Sequence, residues 1–277
     1  MELGTYGLTP VTSGDQYKAT YRIKAAVTIT MAYNDPSVLD ALLLGTHRRL
    51  EGRAGYWGDS TSFINWCEKD YEYSYYVAEL FNTVTNLAYI VVGIRAIMHH
   101  VKVSSNLNIN VISAAICTIL TGIFSSIFHA TLLLEWQKAD EVFENGILIF
   151  ILYESFHLSF KHALVHSIVV ASGILFIKSF LFCEVHLITI VLFTIYRFRK
   201  LSVSNALLAS HVGQCSMLTL LGALSWIIDR TACEYTRFNN FSLQLHSFWH
   251  IFTALALGKA FVAIEELIEP HNCDKIK

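Results

Sequence analysis

From Val77 onward the chain is a succession of long apolar runs separated by short polar breaks, and no other feature constrains it as strongly. Backbone inside hydrocarbon has no water to bond, so each run must satisfy its own N–H and C=O groups as a helix. A bilayer core takes ~20 apolar residues per crossing. The runs fall near 77–98, 108–128, 141–160, 163–179, 183–198, 205–228 and 243–264, the fourth and fifth being the tightest fit. Composition agrees: 54% of residues are hydrophobic and 15% charged, against about 25% charged in soluble domains. The expected fold class is therefore all-α, an integral membrane bundle of seven transmembrane helices. All three prolines (Pro10, Pro36, Pro270) lie outside the runs, so no proline kink is expected within them.

The 277 residues divide into an N-terminal extension (1–54), the bundle (55–269) and a short C-terminal tail (270–277). The extension holds two apolar runs too short to span, and its start does not read as a secretory signal. A net charge of −2 without basic blocks excludes nucleic acid as a partner. Seven spans put 57–76, 129–140 and 230–242 on one face, which carries Lys69, Lys138, Lys178, Arg230 and Arg237 near the spans. The opposite face carries Arg95, Lys102, Lys161, Arg197, Arg199, Lys200, Lys275 and Lys277. This bias makes the opposite face cytosolic and the first face lumenal, although six further basic residues in the extension count against it.

Ionisable groups inside spans are costly, and each is a functional candidate. His246 and His250 lie four apart at the start of the last span, on one helical face. His129 ends the second span, Ser125 shares its face, and Asp140 opens the third. All five fall at the same end of the bundle. Three imidazoles with one open position are the ligand set of a catalytic zinc. A competing set (His99, His100, His157, His162 and His166, with Glu154) lies toward the other face. Asn65, Trp66, Glu68, Asp70 and Glu79 form an oxygen-rich stretch that reads equally as a calcium site and as a solvated acidic loop before a helix. Cys67 and Cys233 fall in loops of the same face, where a lumenal setting permits a disulfide. Cys117 and Cys215 read as small packing residues.

Taken in order, Gly55-Tyr-Trp-Gly58, Asn65-Trp-Cys-Glu68, Asn82-Thr-Val-Thr-Asn86, Ser125-Ser-Ile-Phe-His129, Asp140-Glu141, Trp226-Ile-Ile-Asp229, Cys233-Glu234 and His246-Ser-Phe-Trp-His250 resemble the alkaline ceramidase family over about residues 55–265. The resemblance implies a seven-helix intramembrane zinc amidase of the endoplasmic reticulum or Golgi membrane that cleaves ceramide to sphingosine and a free fatty acid. It implies no obligate protein partner. By motif, His129, His246 and His250 would hold zinc, Asp140 would move the proton of its water, and Ser125 would stabilise the amide oxygen. Calcium would sit on Asn65 or the Trp66 carbonyl, Glu68, Asp70 and Glu79. Two departures stand out. Asn65 and Asp70 exchange the family's usual aspartate and asparagine. Val142-Phe143-Glu144 replaces the usual Leu-Pro-Met, changing how the third span begins and adding a carboxylate one turn below Asp140. The alternative is a seven-helix lipid-sensing receptor resembling the progestin and adiponectin receptor group, which shares the Ser, His, Asp and His-x-x-x-His arrangement.

Overall fold

In the computed structural model, residues 54–177, 180–233, 237–238 and 241–268 are described. The extension up to residue 53, Lys178 and the tail from 269 lie outside them. The helices are α1 (Leu80–Thr85), α2 (Leu87–Val103), α3 (Ile109–Thr131), α4 (Leu134–Ser155), α5 (Phe160–Phe176), α6 (Phe180–Leu201), α7 (Ala206–Thr231) and α8 (Leu245–Ile268). Between α7 and α8 a two-residue ribbon pairs β1 (Arg237–Phe238) antiparallel with β2 (Phe241–Ser242). Among the described residues, four stretches are long and apolar enough to cross a membrane: Leu80–Val103, Ile109–Thr131, Leu181–Leu201 and Ala206–Thr231. The chain is a multi-pass helical membrane bundle.

Local chemistry sets the helix ends. Asn108 Oδ1 accepts from the N–H groups of Asn110 (3.0 Å) and Val111 (3.3 Å), capping α3. Asn205 does the same for α7, accepting from Leu208 at 3.0 Å. At the far end of α3, Leu132 takes a left-handed conformation, φ 56°. The chain thereby turns back into α4 within two residues. Leu132 pairs its carbonyl with the N–H groups of Thr61 and Ser62, both at 3.1 Å, so the loop before α1 is docked onto the turn.

The third span therefore begins earlier than the hydropathy suggests. The polar residues Glu135, Gln137 and Lys138 look like a loop, yet they belong to the first turns of α4. Asp140 consequently lies in the second turn instead of opening the helix. Phe143, where the family's proline would stand, is in the helix interior; it stacks on Phe124 at 5.3 Å between centroids, and α4 runs unbroken.

α3 packs between α2 and α4, while α8 packs on α7 and closes back onto α2. The α2–α3 approach depends on glycine. A Cβ at Gly122 would lie 2.9 Å from the carbonyl oxygen of Asn86, and one at Gly93 2.8 Å from that of Ala115. Small residues at such crossings let backbones come together where lipid supplies no hydrophobic drive. By contrast, α6 and α7 touch sparsely, leaving a seam on the outer wall.

Candidate active site

Two elements bring the three histidines together. His129 occupies the last turn of α3; His246 and His250 occupy successive turns at the start of α8. Their ring centroids are 4.5 to 5.0 Å apart, and one donor atom from each lies within 4.8 Å of the others. Each residue is buried.

Their tautomers follow from their neighbours. The Nδ1 of His129 lies 2.6 Å from Glu79 Oε2, so it donates and leaves Nε2 with a free lone pair. The Thr85 hydroxyl donates to the Phe81 carbonyl at 2.8 Å, so its oxygen is left to accept from His250 Nδ1 at 3.0 Å. That ring too presents Nε2. His246 is held by packing: Trp66 stacks on it at 3.5 Å between centroids, with 13° between the planes. Its Nδ1 is buried without a hydrogen-bond partner. Converging imidazole lone pairs and an unpartnered ring nitrogen fit a soft-to-borderline divalent cation of the zinc type.

Asp140 and Ser125 line the same cavity, of about 430 Å³. Beyond them the walls become apolar with Leu187, Val191, Leu220 and Trp249. Ile188, Leu192, Leu220 and Ile227 line the cavity yet are also exposed on the outer surface. The cavity thus reaches the membrane-facing side through the α6–α7 seam.

The acidic stretch wraps over the start of α1. Glu68 accepts from the Phe81 N–H (2.8 Å) and the Asn82 N–H (2.9 Å), capping that helix. Glu79 Oε1 accepts from Trp66 N at 3.4 Å, while its Oε2 serves His129 and Asn82 Nδ2. Asn65 Nδ2 reaches Asp70 Oδ2 at 3.5 Å, and Asn65 Oδ1 is buried without a partner. Burial, and for Glu68 also the charge of Glu79, pushes the carboxyls of Glu68 and Glu79 up to about 8. An orphaned amide oxygen beside buried carboxyls fits a hard, oxygen-seeking cation. Among the described residues only the histidine triad, and not Glu68, Asp70 and Glu79, forms a group of three ionisable donors at 4.8 Å or closer.

Cys67 and Cys233 form a disulfide, with Cα atoms 5.4 Å apart, tying this loop to the end of α7. Sequence reading missed the role of Asp229, whose only signal was its place in the Trp226-Ile-Ile-Asp229 motif. It is 1% exposed; Oδ2 accepts from Cys67 N at 2.9 Å and Oδ1 from His246 N at 3.1 Å. One carboxylate therefore fixes both the loop and the start of α8.

The competing histidine set does not assemble. His100 bonds Glu265 at 2.7 Å and accepts from Asn108 N at 2.8 Å. His162 pairs with Ser159, and His166 faces His186. Glu154 is taken by Asn110. These four find separate local partners, and among the described residues no second group of three donors forms from the set.

A family model described as Ceramidase matches residues 58–274. The chain belongs to the Ceramidase family. It is 31% identical to mouse alkaline ceramidase 3 over 225 residues, covering 73% of this chain and 82% of the relative. It is 27% identical to a putative alkaline ceramidase of Dictyostelium discoideum over 271 residues, 80% and 93% of the two chains. Against an alkaline ceramidase of Arabidopsis thaliana it is 26% identical over 219 residues, 73% and 82%.

Proposed function

We propose that this family member is an intramembrane zinc amidase that hydrolyses the N-acyl bond of ceramide, releasing sphingosine and a free fatty acid. The observation that carries the reading is the joint one of the histidine triad, Asp140 and Ser125 around a cavity that leads to the lipid side. Ceramide hydrolysis is what the relatives' names describe.

His129, His246 and His250 would hold the zinc. The chemistry zinc supplies in a site of three imidazoles is Lewis acidity, which eases deprotonation of water and polarises a carbonyl. The remaining work belongs to the chain. Asp140 accepts a proton from the attacking water and returns it to the departing amine nitrogen, the general base becoming the general acid. Ser125, one helical turn before His129, donates to the oxygen on which negative charge develops. Glu79 and Thr85 hold two of the imidazoles in the tautomer that faces the amide. The apolar walls hold the lipid chains and exclude water, strengthening each polar contact within.

Calcium is proposed on Asn65, Trp66 (through its carbonyl), Glu68, Asp70 and Glu79, supported by the orphaned Asn65 Oδ1 and the buried carboxyls of Glu68 and Glu79. Because Glu79 also bonds His129, an ion there would steady the triad from behind. The balance of basic residues supports a lumenal active-site face in the endoplasmic reticulum or Golgi membrane.

The test is hydrolysis of labelled ceramide by purified protein, with and without a zinc chelator, alongside elemental analysis. His250→Ala and Asp140→Asn are expected to abolish turnover while the protein still accumulates. A fully active His250→Ala enzyme refutes the assignment.

A further inference from the structure

The segment before α1 carries more exposed aromatic surface than the site uses. Tyr56, Trp57, Tyr73, Tyr75 and Tyr76 are 43% to 62% exposed. Two hydrogen bonds gather four of them into one patch: Tyr56 N donates to the Tyr75 carbonyl at 2.9 Å, and Trp57 Nε1 to the Tyr76 carbonyl at 2.8 Å. The Tyr56 ring meets Trp57 and Tyr76 with centroids 5.0 and 5.4 Å apart, and Tyr75 meets Tyr76 at 5.3 Å. The Tyr56–Trp57 and Tyr75–Tyr76 planes stand 87° and 77° apart, so edges meet faces and the rings do not cover one another as a parallel stack would. Clustered apolar surface of this kind marks an interaction site.

Continuity says what meets it. Phe81, Val84, Leu87 and Val91 recur every three or four residues and are all exposed, forming a lipid-facing stripe on the span Leu80–Val103. Tyr73, two residues before Tyr75, packs edge to face on Phe81 at 5.4 Å between centroids. The patch therefore continues the stripe past the end of the span, where hydrocarbon gives way to headgroups. Residue type changes accordingly. The stripe is mainly aliphatic, whereas the patch is tyrosine and tryptophan, whose rings carry a polar tip and concentrate at membrane–water boundaries.

Charge narrows the lipid. From residue 54 to 79 the sequence has one basic residue, Lys69, against Asp59, Glu68, Asp70, Glu72 and Glu79, and Lys69 pairs with Glu72 at 3.8 Å. Anionic headgroups are drawn by clusters of lysine and arginine, which this segment lacks. Open ring faces instead attract the ammonium of a zwitterionic headgroup. We propose that the aromatic patch docks on the headgroup layer of the bilayer that the bundle spans, against zwitterionic lipid, and so fixes the height of the loop. The same loop stacks Trp66 on His246 and bonds Glu79 to His129, so the leaflet steadies the triad from outside. The docking stands apart from the ceramide-hydrolase reading, and the first arm of its test uses no substrate.

Full-length protein is placed in nanodiscs of phosphatidylcholine carrying a nitroxide either on the headgroup or deep in the acyl chain. Trp57 emission is read as the difference between native protein and Trp57→Phe, with melting temperatures confirming that both are folded. It is expected to be quenched several-fold more by the headgroup label than by the deep label or by aqueous acrylamide. Adding phosphatidylglycerol should not strengthen the quenching. Emission reached by acrylamide and not by the headgroup label puts the patch in water and overturns the inference. Emission shielded from both, in a disc that holds two chains, gives the patch to a second copy and overturns it equally. Quenching that appears only with phosphatidylglycerol overturns the assignment to zwitterionic lipid. In the second arm, a chain carrying Tyr56→Ser, Tyr75→Ser and Tyr76→Ser is assayed in phosphatidylcholine nanodiscs and in maltoside micelles, which offer no ammonium. Turnover is expected to fall about two- to five-fold further in the nanodiscs, the scale of one exposed ring–ammonium contact. Equal losses in the two media would mean that the rings act within the fold, and the docking fails. Native protein that hydrolyses no ceramide refutes the hydrolase reading and leaves the quenching arm to decide the docking.

Discussion

Asp229 offers the most quantitative check on how the site is held. Its two oxygens accept from two backbone N–H groups that are far apart in sequence, Cys67 at 2.9 Å and His246 at 3.1 Å. Replacing it by alanine leaves both donors buried and unmatched, at about 1–3 kcal/mol each, or about 2–6 kcal/mol together. Asparagine is milder in size but worse in polarity at one position, because one oxygen becomes an NH₂ group facing an N–H. It is expected to lose about half of the alanine effect. The first turn of α8 carries His246, so the loss should register at the triad as well as in global stability. Two measurements apply: thermal unfolding of the detergent-solubilised protein, and zinc content per chain after dialysis against a graded chelator. The expected order in both is native, then Asp229→Asn, then Asp229→Ala. An alanine variant with native melting temperature and native zinc retention would show that this carboxylate does not hold the start of α8.

Two further outcomes follow from the same geometry. Glu79→Gln keeps the shape but weakens or replaces the oxygen that accepts from His129 Nδ1, and is expected to weaken retention of the proposed zinc about 10–100-fold, read by competition with a chelator. Cys67→Ser is expected to cost about 2–5 kcal/mol, since the bridge closes a separation of 166 residues, and should lower the melting temperature by the same amount as treating the native protein with reductant.

The helices were largely readable because hydrocarbon admits few alternatives to them: length and apolarity placed six of the seven apolar runs close to observed helices. The exception, α4, starts early because its first turns are polar on sides that face the docked loop and the cavity, as Gln137 shows by accepting from Phe63 N at 2.8 Å. Hydropathy takes such a turn for a loop. The triad was readable through depth, since counting spans put His129, His246 and His250 at one end of the bundle. What held those rings was not readable. The Glu79–His129 contact, the Trp66–His246 stack and the two hydrogen bonds accepted by Asp229 join segments 50, 180 and up to 162 residues apart. No periodicity within one segment encodes such contacts. The seam was hidden for the same reason, because it reflects which helices fail to pack.

That seam changes what concentration means for this enzyme. A lipid passing between α6 and α7 moves sideways without entering water, so occupancy follows its mole fraction among neighbouring lipids and not its amount per litre. Diluting the leaflet with inert phospholipid slows such a reaction as effectively as withdrawing substrate, and any process that gathers the lipid into patches around the protein accelerates it without touching a single residue.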